Sequence, residues 1–126
     1  MIKMLEVRKA IVAAIRNVTS SVFYQDAPEG TNAPFITIDI VNSTDDGTLE
    51  RFVMDMDGWG TSNNTTALET MMHNADQQLH RKTFYLTSGG KQIGITVYRE
   101  NRLTFDEVDK RIFRRRYIYQ IRTHEN

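Results

Sequence analysis

Three aspartates occupy positions where strand-like runs would ordinarily place apolar residues. Asp39 lies within Phe35–Val41, and Asp55 and Asp57 lie within Phe52–Trp59. Residues i and i+2 of a strand share a face, so Asp55 and Asp57 project together. A carboxylate pair of this kind is one half of a Mg²⁺ site, with Asp39 as a third ligand if its strand pairs in register. Metal-dependent hydrolysis or phosphoryl transfer also needs a base and a phosphate-binding group. The sequence offers neither, and it lacks GxSxG, P-loop and GxGxxG motifs. The bland alternative, a solvated or partner-facing acidic strand, accounts for the same residues.

The second cluster is basic and aromatic. Arg111, Arg114, Arg115 and Arg116 interleave with Phe113, Tyr117 and Tyr119. Phosphate contact and base stacking would use these residue types. Strand alternation tempers that reading. Phe113, Tyr117, Tyr119 and Ile121 share one face, while Arg114, Arg116, Gln120 and Arg122 share the other with Ile118. Arg115 falls on the apolar side and needs an acidic partner or a route to solvent. A net charge of zero also disfavours a dedicated nucleic-acid binder. His73 and His80 are seven residues apart, whereas zinc pairs on helices sit at i, i+4. His124 is expected in a frayed tail. Trp59, flanked by Gly58 and Gly60, either closes the core rim or anchors an oligomer contact.

These residues sit in two oppositely charged segments. Ser20–Gly60 carries eight acids against Arg51 alone, and Arg81–Arg122 carries eleven bases against four acids. Either the segments pair inside one fold, or they meet head to tail between copies, as in a ring.

The elements that position them follow from periodicity. Ile2–Val18 reads as an amphipathic helix with Met4, Val7, Ile11, Ala14 and Val18 on one stripe. Val22–Tyr24 is a short extended piece, and 25–34 is a loop bracketed by Pro28 and Pro34. The strands Phe35–Val41 and Phe52–Trp59 flank a long connection, Asn42–Leu49, with a turn at Asp45-Asp46-Gly47. Thr66-Ala67-Leu68-Glu69 matches a capping box, so a second helix starts near Ala67 with Leu68, Met71, Met72, Ala75 and Leu79 buried. Thr83–Thr87 and Gln92–Arg99 read as strands around Ser88-Gly89-Gly90. Glu100–Lys110 reads as a loop or helical turn, and Ile112–Arg122 as the last strand. The expectation is an α+β fold, two helices packed on one face of a mostly antiparallel sheet, in one domain spanning residues 1–126.

At 126 residues such a chain can bury a core without disulfides or metal. It has no cysteine, which fits a reducing compartment. No apolar run reaches the ~18 residues of a membrane span. Glu6, Arg8, Lys9 and Arg16 interrupt any signal-peptide core, so no membrane partner is expected.

The succession is an N-terminal amphipathic helix, Val22-Phe23-Tyr24, then Ala27-Pro28 through Pro34-Phe35-Ile36. Phe52-Val53-Met54-Asp55-Met56-Asp57-Gly58-Trp59, the helix Ala67–Leu79 and Tyr117-Ile118-Tyr119 complete it. Together they resemble the tail completion and tail terminator proteins of long-tailed bacteriophages, the lambda minor tail protein U-like group. The resemblance implies a non-enzymatic virion protein with no cofactor and no metal, assembled in the host cytoplasm. It implies a ring, commonly of six copies, on the head-proximal end of the tail tube. Its partners would be other copies of itself, the tail tube protein and the head connector or completion protein, with DNA passing the lumen unbound. A head-side connector or stopper is the nearest alternative, and a small nucleic-acid-binding protein a more distant one. Under this reading Asp39, Asp55, Asp57, Trp59, Arg114 and Arg116 are expected at contacts between copies or with partners. Charge reversal at Arg114 or Arg116 is then expected to weaken the ring and leave the monomer folded.

Overall fold

The computed structural model describes residues 4–45, 50–105 and 111–125. In chain order the elements are α1 (Met4–Ile15), β1 (Val22–Tyr24), β2 (Phe35–Asp45), β3 (Glu50–Thr61), α2 (Thr65–Leu79), β4 (Lys82–Ser88), β5 (Lys91–Phe105) and β6 (Ile112–Glu125). The strands form one six-stranded sheet in the order β1-β2-β3-β6-β5-β4. β1 runs parallel to β2, and every other neighbouring pair is antiparallel.

The expected balance of helices and sheet is corrected here. Among the described residues strand far outweighs helix, so the molecule is mostly sheet, a curled six-stranded sheet carrying two helices, rather than the two-layer α+β sandwich expected. The excess comes from strand extensions that residue types did not advertise. Asn42–Asp45, expected in a loop, continues β2 and pairs with Glu50–Val53. Asp46 and Gly47 of the expected turn lie outside the described residues. Glu100–Phe105, expected as loop or helical turn, continues β5 along β6, while 106–110 lie outside the described residues. The tail does not fray at Thr123 either. Its hydroxyl donates to the Glu50 carbonyl at 2.9 Å and accepts from the Glu50 N–H at 3.1 Å.

Two bulges explain why alternation failed to reveal these extensions. The register slips between Ile40 and Asn42 in β2 and between Arg99 and Asn101 in β5. Each bulge inserts one residue, so the side chains beyond it change face. Ile93, Ile95, Val97 and Arg99 line the helix side of β5 before its bulge, whereas Phe105 is opposite Arg114 on the outer side after it.

The core lies between the helices and the inner face of the sheet. Ile36, Ile38, Phe52, Met54, Met56, Ile95, Val97, Tyr119 and Ile121 contribute from the strands. Val7, Ile11 and Ala14 of α1 are buried as their spacing predicts; Ile15 joins them, and Met4 is exposed. The helix ends at Ile15 rather than Val18, and its expected start at Ile2 lies outside the described residues. All five expected α2 residues are buried. The α2 cap differs from the expected box: Asn64 precedes the helix, and its side-chain oxygen accepts from the Thr61 N–H at 2.7 Å. α1 packs against α2 and against both β1 and β4, so it bridges the two edges of the curled sheet.

Candidate functional site

Asp39, Asp55, Asp57, Trp59, Arg114 and Arg116 come from three neighbouring strands and share the outer face of the sheet. Register places Asp39 opposite Asp55, Asp57 opposite Arg116, and Trp59 opposite Arg114. All six line one cavity of 260 Å³, together with Gln25, Asp26 and Thr37.

Asp57 is its electrostatic centre. The Arg116 Nε donates to Asp57 Oδ1 at 2.8 Å and an Arg116 terminal nitrogen donates to Oδ2 at 3.0 Å. Arg114 adds a bond to Oδ2 at 2.8 Å. This fork geometry with charge assistance is the strong form of the interaction. It also raises the Arg116 pKa, first through the Asp57 hydrogen bond. The opposite-charge segments therefore meet inside one chain. Charge reversal at Arg114 or Arg116 would therefore act on the fold of the monomer as well as on any contact between copies. Either reversal sets a third carboxylate against Asp55 and Asp57, and Asp57 is itself almost withdrawn from solvent.

Asp55 is placed differently. Its carboxylate lies 3.5 Å from Arg116, but burial together with Asp57 and Asp39 pushes its pKa up. Burial is the largest cause, and the Arg116 attraction does not offset it. Asp39 accepts a 3.3 Å bond from Gln25 Nε2.

An aromatic and cationic ladder braces the cavity. Trp59 stacks on Phe35 with centroids 6.3 Å apart, and its Nε1 donates to Thr37 Oγ1 at 3.0 Å. The Arg114 guanidinium sits 4.7 Å from the Trp59 centroid and 4.7 Å from that of Phe105. Arg116 is 5.0 Å from the same Phe105 ring. Trp59 thus lines the outer-face cavity rather than the core, and Phe105 is a neighbour of that cavity that the sequence concealed. Its contribution depends on the β5 bulge, which leaves no signature in residue type.

The remaining candidates lie elsewhere. Arg115 points to the helix side and finds the acidic partner that its position demanded, Glu69 of α2, at 2.6 Å. Beneath α2, Asp76 is buried and accepts bonds from Arg99 and from the Tyr119 hydroxyl, the latter at 2.7 Å. The Tyr119 pKa is raised, chiefly by burial and then by this bond. His80 accepts the Arg99 backbone N–H on Nδ1 at 2.9 Å, so it is a structural cap. His73 contacts Gln77 on the helix surface at 3.3 Å. His124 lies over Gly94 and contacts Thr96 at 3.1 Å. Among the described residues no three His, Asp or Glu side chains are grouped as a metal site. Asp57 spends both oxygens on guanidinium groups and Asp55 faces Arg116, whereas Asp39 is held by Gln25.

No protein-family model and no curated protein matches the chain. Its fold is similar to that of a chain in the solved structure "Virion of native gene transfer agent (GTA) particle". The likeness has a TM-score of 0.65 at 13% sequence identity and covers 97% of this chain and 90% of that one. At that identity the shared property is the fold.

Proposed function

We propose that this chain is a non-enzymatic structural protein of a phage-like virion. The observation that carries the reading is the fold likeness to a virion chain over nearly the full length of both. More finely, we read it as a tail terminator that forms a ring on the head-proximal end of the tail tube. That ring would end tube growth and present the head-joining surface. The order of elements that resembles the tail terminator group supports the finer reading.

The outer-face cavity suits a contact role. Four carboxylates (Asp26, Asp39, Asp55 and Asp57) face two guanidinium groups there, leaving an acidic excess toward a basic neighbour. Around Asp57 the charge pairing is already satisfied, which suits a structural role for that carboxylate.

The test is to mix the purified chain with uncapped tail tubes and, separately, with filled heads, followed by negative-stain imaging. Rings at one end of the tubes are expected, with no decoration of heads. Binding to heads alone would move the chain to the connector side, and binding to neither would end the reading. Asp39→Lys probes the contact face without removing an Asp57 bond. It should keep its circular dichroism spectrum and lose ring formation.

A further inference from the structure

We propose that the outer face of the sheet pairs with the same face of a second copy, sheet on sheet, across a two-fold axis. The inference rests on reading this face as a contact surface, and it concerns the free chain rather than the tail tube or the ring.

Both helices lie over the core on the inner side of the sheet. On the outer side, cross-strand register arranges the side chains in rows. One row sets Asp39 opposite Asp55, and another sets Arg51 opposite Arg122. Like charges directly opposite one another on neighbouring strands repel. The chain relieves the acidic row only in part. Arg116 approaches Asp55 at 3.5 Å but is committed to Asp57, and uncharged Gln25 donates to Asp39 at 3.3 Å. In the basic row, Arg122 donates to uncharged Gln120 at 3.2 and 3.1 Å and lies 6.0 Å from the Tyr98 centroid. Arg51 and Arg122 are both exposed. Each row therefore presents an excess of one sign.

Between the charged rows lies a third, made of Val53, Gln120 and Tyr98. It carries no charge, and Tyr98 is exposed. Along β3, Arg51 and Asp55 flank Val53 at equal spacing on the same face. A two-fold axis along the middle row, in the plane between two sheets, reverses the strand direction. It lays the middle row on itself and each acidic row over the basic row of the other copy. Arg51 of each copy then meets Asp39 and Asp55 of the other, so the contact is made twice. Aligned sheets pack ~10 Å apart, a gap that arginine side chains span. An axis along the strands would lay acid over acid, so charge selects the first arrangement. A wholly basic partner leaves the Arg51–Arg122 row unmatched, and a wholly acidic one leaves the Asp39–Asp55 row unmatched. A second copy matches both, which is the self-complementarity an isologous contact requires.

Sedimentation velocity of the full chain, without tail tubes, tests the pairing. A monomer–dimer equilibrium that weakens with added salt is expected. Arg51→Glu and Asp39→Lys should each weaken the dimer by about tenfold or more with an unchanged circular dichroism spectrum. An equimolar mixture of the two variants should recover a dimer, because the introduced acid of one then meets the introduced base of the other. A chain that stays monomeric at millimolar concentration overturns the inference. So does a dimer indifferent to both variants, or a mixture that stays monomeric. Rings or open chains formed by the free protein would assign the face to a head-to-tail contact and overturn it likewise. Tube capping is read separately, by imaging, so the failure of one reading is distinct from the failure of the other.

Discussion

Asp57 holds two arginines while its side chain retains only 10% of its exposure. Removing one member of a buried ion network leaves charges without compensation and typically costs ~3–5 kcal/mol. Asp57→Ala should therefore lower stability by about that amount in urea denaturation, with Asp57→Asn intermediate. Asp55 behaves in the opposite sense. Its folded pKa is raised above 3.8, so the folded state holds that proton more tightly than the unfolded state does. The stability it contributes is complete below the ordinary value and is lost as pH rises through the folded one. Asp55→Asn is accordingly expected to raise the melting temperature at pH 7, and the gain should shrink as pH falls toward 3.8. A lower melting temperature for that variant at pH 7 would show that the Arg116 attraction outweighs burial. Five of the six outer-face residues were legible by type, because acids and arginines in alternating strands stand out, and Trp59 by its place between two glycines. Their partners were legible only as a choice between pairing within the chain and pairing between copies. Choosing requires the β3–β6 register, which brings together segments about sixty residues apart in sequence.

At the scale of elements, α2 is held by packing and by one buried polar anchor. A Cβ on Gly58 would come within 2.5 Å of the Met72 Sδ and 2.8 Å of Leu68 Cδ1, and one on Gly60 within 3.0 Å of Leu68. The strand thus allows the helix an approach that an alanine would deny. Gly58→Ala should cost ~1–3 kcal/mol, the usual range for overpacking, measured by thermal or chemical denaturation. Asp76→Ala should cost more, ~3–5 kcal/mol, because Arg99 and Tyr119 both lose their acceptor. Tyr119→Phe, which removes one hydroxyl, should cost ~1–3 kcal/mol. The apolar stripe of α2 was readable from its helical spacing, but Asp76 breaks that stripe and shows its purpose only beside Arg99 and Tyr119. The bulges at Val41 and Glu100 hid the true lengths of β2 and β5, since period-two reasoning stops where the period is interrupted. The capping box misled for a related reason: the Thr61–Asn64 turn is closed by the Asn64 side chain, and Thr66 lies one residue inside the helix.

For the whole molecule, sheet order matters more than element type. β6 comes last in the described chain order yet lies at the centre of the sheet, between β3 and β5. β1, β2 and β3 can pair among themselves, as can β4 and β5, but only β6 joins the two groups. Without β6, each group keeps an unmated edge, at β3 and at β5. Such edges are prone to pairing with the wrong chain. A chain cut before Ile112 should therefore be recovered in the pellet, and supplying residues 111–125 as a separate peptide should improve its recovery in solution. Because so many contacts join distant parts of the chain, folding should also be slow for a domain of this size. β6 acts as a keystone: it supplies Arg114 and Arg116, so without it the carboxylates of the outer-face cavity would face no guanidinium group.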